Sequence, residues 1–134
     1  MPKCAGISLT GMESLIRSFY MDDKNTLHIL WTNADLDTSK LMVMMYAKNS
    51  MLRKWWEEVT VIVWGATARL AAENPAIQEE IHLAMQAGVK FSACIACARE
   101  LGVVDELEAL GIEVKSWGPP LTELLKNSEK LITI

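Results

Sequence analysis

The stretch "KFSACIACARELGV", Lys90 to Val103, sets Cys94 and Cys97 three positions apart where an apolar run gives way to helical sequence. Residues three apart on a helix share a face, so the chemistry of the two thiols must be weighed together. Cys94 falls at the expected strand-to-helix junction. There the first-turn amides and the positive end of the helix dipole favour the thiolate, the reactive form of sulfur. One reading makes Cys94 a nucleophile, with Cys97 as an accessory or resolving thiol. Another is a dithiol redox couple, which needs this C-x-x-C spacing and a helix start. A structural zinc site needs four ligands, and the other candidates, Cys4, His28 and His82, show no ligand spacing, so no metal is expected. Against all of these stands plain packing, because free cysteine is among the most buried residue types and often only fills volume.

The elements that must position these thiols alternate along the chain. "TLHILW", "EVTVIVWG", "VKFSAC", "IEVKSW" and "KLITI" read as five strands, the second apolar on successive positions, as when both faces of a sheet are covered. Asp37 or Thr38 is expected to cap a helix running to about Asn49. Asn74 caps another, with Pro75 in its first turn, a stripe of Ile77, Ile81, Ala84 and Met85, and Gly88 at its end. Shorter helices follow over Ile95–Leu101, "VDELEAL" and "PPLTELLKN". Connections too long for hairpins imply one three-layer α/β domain over residues 26–134, a mostly parallel five-stranded sheet with helices on both faces. Residues 1–25 stand apart. Within them "GMESLIRSFYMDD" reads as an amphipathic helix on Met12, Leu15, Ile16 and Phe19.

In such sheets ligands bind beyond the carboxyl ends of the strands. Those ends carry Asn33 and Asp35, Gly65 and Thr67, Cys94, and Gly118. Cys94 alone among them is a strong nucleophile, and Asn33, Gly65 and Thr67 are expected to form the polar rim of its pocket. The methionines of "KLMVMMYAKNSM" read as helix core, and His28 as a hydrogen-bonded core histidine. "WGATAR" lacks the further glycines and the lysine of a phosphate loop.

Composition narrows the partners. The 134 residues are enough for one core, and the net charge of −4 without a basic cluster argues against nucleic acid or anionic lipid. No apolar run is long enough to span a bilayer, and the first residues lack the core of a signal peptide. Three cysteines do not make a secreted disulfide framework. A cytoplasmic protein with reduced thiols is the expectation.

From Thr26 to Ile134 the chain resembles the DsrE/DsrF-like family, which includes the TusD-type sulfur-relay subunits. The likeness is carried by "CIACARELGV" after the third strand and by "GIEVKSWGPPLTELL". The resemblance implies a compact α/β fold, assembly as trimers or hexamers, and no organic cofactor. It further implies a persulfide on the cysteine after the third strand, matched here by Cys94, whose outer sulfur passes from a donor to an acceptor, either proteins or small persulfides. Cys97 stands where relay subunits have a small residue, as in a C-x-x-C subgroup. A second thiol in reach can release sulfide and leave a disulfide. Three functions therefore stay open: persulfide carrier, dithiol redox protein and non-catalytic assembly subunit.

Overall fold

The computed structural model describes residues 25–134. The segment read as an N-terminal extension with an amphipathic helix lies outside the described residues, apart from Asn25.

Five parallel strands form the sheet: β1 Thr26–Trp31, β2 Glu58–Val63, β3 Lys90–Cys94, β4 Glu113–Lys115 and β5 Lys130–Thr133, in the order β4-β3-β2-β1-β5. Between β1 and β2 lies α1, a continuous helical run over residues 36–52 with a π-helical stretch at Ser39–Met44. The helices α2 Ala66–Glu73 and α3 Pro75–Ala87 join β2 to β3. Next, α4 Ile95–Leu101 and α5 Val104–Ala109 lead to β4, and α6 Gly118–Lys126 leads to β5.

The strand order dictates where the helices go. From β1 to β4 every crossover steps the same way across the sheet. Right-handed crossovers therefore put α1 to α5 on one face. The last crossover runs back past three strands to the far side of β1, so α6 lands on the opposite face. The burial pattern follows. Leu27, Ile29 and Trp31 of β1 and Val59, Val61 and Val63 of β2 are fully enclosed under Val43, Ala68, Ile77, Ile81 and Leu107. On the other face a smaller cluster gathers Ile62, Cys94 and Trp117 with Leu30, Leu121 and Leu124, while His28, Leu30 and Thr60 stay half-buried. Helices thus cover both faces, but unequally.

Local corrections have simple causes. Asp35, not Asp37 or Thr38, caps α1, its carboxylate accepting from the Thr38 N–H at 2.9 Å, and the helical run continues to Leu52. The residues before Asn74 form α2, a helix absent from the sequence reading. Asn74 ends α2 and caps α3, accepting from the Ile77 N–H at 3.0 Å. His28 packs half-buried, and among the described residues its Nδ1 has no hydrogen-bond partner. Burial lowers its pKa, against the opposing pull of Glu129 and Glu58.

Candidate functional site

Two neighbouring helix starts build the site. After β2 the backbone turns through Gly65, whose φ of 72° and ψ of −134° suit glycine alone, and α2 begins. After β3, Cys94 is both the last strand residue and the N-cap of α4. Because β2 and β3 are parallel neighbours, α2 and α4 start side by side. Cys97, in the first turn of α4, therefore meets the start of α2, and the Gly65 N–H donates to Cys97 Sγ at 3.2 Å.

Cys94 and Cys97 are free thiols set at the start of α4, but their surroundings differ. Cys94 is 5% exposed and belongs to the small cluster beneath α6, against which Cys97 also packs. Trp117 of that cluster is pinned, its Nε1–H donating to Ser92 Oγ at 2.7 Å while the Ser92 hydroxyl donates to Glu113 at 2.9 Å. Cys97 is half-buried and lines a groove of about 540 Å³ between α2 and α4, with Gly65, Ala66 and Arg69 on one wall and Ala96, Glu100 and Leu101 on the other. Burial pushes the Cys97 thiol above its ordinary pKa; the Gly65 N–H pulls it down, and Cys94 adds to the rise. α4 is seven residues long, and at Cys97 the loss of water outweighs the single amide donor.

The structure thus brings together Cys94, Cys97 and Gly65. Thr67 points inward: it is fully buried, and its Oγ1 donates to the Trp31 carbonyl at 2.7 Å and accepts from the Trp64 N–H at 3.2 Å. It fastens the carboxyl ends of β1 and β2 and does not line the groove. Asn33 is exposed, and its Oδ1 accepts from the Asp35 N–H at 2.9 Å, so its side chain shapes the turn before α1. The sequence reading passes over Arg69 and Glu100. Their signal is helical spacing, four residues after Gly65 and three after Cys97. Among the described residues no three His, Cys, Asp or Glu side chains are grouped as a metal ion would require, and no helix is long and apolar enough to cross a membrane.

The model of the DsrE/DsrF-like family matches residues 25–134. The chain belongs to the DsrE/DsrF-like family. Its fold is similar to that of a conserved protein of unknown function from Bacteroides thetaiotaomicron, at 43% identity and a TM-score of 0.80, over 82% of this chain and 95% of that one. It is also similar to the ychN protein of E. coli, with a TM-score of 0.62 over 82% of this chain and 99% of that one; at 14% identity this likeness speaks for the fold alone. No curated protein matches the chain. Within the DsrE/DsrF-like fold as this chain builds it, the thiol pair sits at the carboxyl ends of β2 and β3. That is away from the β1–β5 boundary, where the strand order reverses and ligands are generally expected.

Proposed function

We propose that the protein is a cytoplasmic sulfane-sulfur carrier of the C-x-x-C type that bears a persulfide at Cys94 and hands its outer sulfur to a partner thiol. Cys97 is the thiol through which partners reach it. One observation carries this reading: two free thiols at the carboxyl end of a parallel sheet, Cys94 enclosed at the end of β3 and Cys97 lining the groove beside it. In the loading step the Cys97 thiolate attacks the donor's outer sulfur. The donor's S–S bond breaks, and its electron pair leaves with the donor thiolate. The Cys94 thiolate then takes the outer sulfur from the Cys97 persulfide in the same way, regenerating the Cys97 thiolate. Neither exchange changes the net oxidation state, so no external oxidant is needed.

Inorganic polysulfide tests the reading, with intact mass measured before and after reductant, followed by transfer to an acceptor thiol. Wild type should gain one reductant-sensitive sulfur and pass it on. Cys97→Ala should load more slowly, and Cys94→Ser should lose transfer. Absence of any adduct on wild type, or wild-type transfer by Cys94→Ser, would overturn it.

The placement of both thiols at the start of α4, Cys94 at its N-cap and Cys97 in its first turn, also favours a second reading, a dithiol redox couple. If Cys94 attacks the inner sulfur of a Cys97 persulfide, sulfide departs and a Cys94–Cys97 disulfide remains, which an external thiol must reduce. Accumulation of that disulfide with release of sulfide would select this reading over the carrier. In either case assembly as a trimer or hexamer is part of the proposal, supported by the exposed Leu41, Met45, Leu52 and Trp55 along and just beyond α1. A monomeric mass by light scattering would remove it.

A further inference from the structure

We propose that the groove beside Cys97 is a subsite for a small amino-acid-type thiol or its persulfide, a ligand with an ammonium and a carboxylate close to its sulfur. The inference rests on the sulfane-sulfur reading and names the donor class that reading leaves open. At about 540 Å³ the groove has the size of a small-molecule site. Gly65, Ala66 and Ala96 contribute almost no side chain to it, leaving room for a ligand backbone to approach Cys97 Sγ. Farther along stand two opposite charges, Arg69 on α2 and Glu100 on α4. Both are exposed. Among the described residues the ion pairs are Lys90–Glu58 and Lys115–Glu113, and no described residue forms an ion pair with Arg69 or Glu100.

The Gly65 N–H touches Cys97 Sγ, and Arg69 follows Gly65 by four residues along α2 as Glu100 follows Cys97 by three along α4, so each charge is carried roughly one helical turn, about 5 Å, beyond that contact. That offset resembles the reach from the outer sulfur of a cysteine-like persulfide to its α-carbon. The planar guanidinium of Arg69 suits the carboxylate, and Glu100 suits the ammonium. The step is R–S–SH plus the Cys97 thiolate giving R–S⁻ plus Cys97–S–SH. One S–S bond forms and one breaks, and the electron pair leaves on the amino-acid thiolate.

The test compares mixed-disulfide formation at Cys97 by L-cystine and by the neutral bis(2-hydroxyethyl) disulfide, followed by intact mass on the full chain. The urea-unfolded protein supplies the intrinsic ratio. Two exposed charge contacts should raise the folded ratio in favour of cystine by roughly fivefold, and Arg69→Gln or Glu100→Gln should each erase most of the gain. The dianionic 3,3′-dithiodipropionate provides a second check: Arg69→Gln should slow it and Glu100→Gln should speed it. A folded ratio equal to the unfolded one, or a preference that survives both substitutions, overturns the subsite. Inorganic polysulfide, which has neither ammonium nor carboxylate, separates the two ideas. Loading by polysulfide without a cystine preference sinks the subsite alone, and a cystine preference without polysulfide loading sinks the carrier alone.

Discussion

At Cys97 two influences oppose each other: removal from water disfavours the thiolate, and one amide from Gly65 favours it. Removal from water is the larger, so the rate of Cys97 alkylation should keep climbing beyond pH 9.0, the ordinary thiol value, when peptides are quantified across a pH series. The same shift sets a direction for stability. A thiol whose pKa is raised on folding supports the fold below its unfolded value, and that support is lost as pH rises through the folded one. Urea midpoints should therefore fall with rising pH in the alkaline range, and fall less in Cys97→Ala. The sequence placed both sulfurs at a strand end one helical turn apart, because spacing and strand–helix alternation are local properties. It did not say which sulfur faces the groove. That depends on α2 lying beside α4 and α6 lying over Cys94, contacts between residues distant in the chain. Thr67 and Asn33 show the same limit: both are polar and at strand ends, yet one turns inward to the Trp31 carbonyl and the other closes a local turn.

Among the elements, the strands were legible as apolar runs, and α3 as a capped amphipathic stripe. α2 was not, because it begins at a glycine without a side-chain cap and ends at the residue that starts α3. Asn74 therefore serves two helices. Asn74→Ala removes the acceptor for the Ile77 N–H and should cost about 1 kcal/mol, read as a lower urea midpoint with unchanged slope. Since α2 forms one wall of the groove, the same variant offers a check on whether Cys97 reactivity depends on how firmly α2 is seated. The π-helical stretch in α1 has no counterpart in the sequence pattern. Its neighbourhood is a buried chain of bonds, from Trp31 Nε1–H to Ser39 Oγ at 3.0 Å and from the Ser39 hydroxyl to the Asn33 carbonyl at 3.0 Å, which ties the helix to the end of β1.

Over the whole molecule the uneven covering of the sheet matters most. Among the described residues five helices seal one face, and the other has α6, which contains no fully buried residue and holds on through Leu121, Leu124 and the preceding Trp117. Elements with so few enclosed contacts open at a lower free energy than the core. Leu124→Ala should loosen α6 and raise the alkylation rate of Cys94 about tenfold, the equivalent of ~1.4 kcal/mol, and raise that of Cys97 less, because Cys97 packs against the same cluster but also lines the groove. Equal acceleration of both thiols would instead mean that the fold opens as a unit. Placed under α6, Cys94 amounts to a clock wired into the protein. When closing outpaces labelling, its modification rate is the intrinsic thiol rate multiplied by the fraction of time α6 stands ajar. Any sulfur stored there would meet reagents from bulk solvent on a schedule set by folding energetics, not by collision.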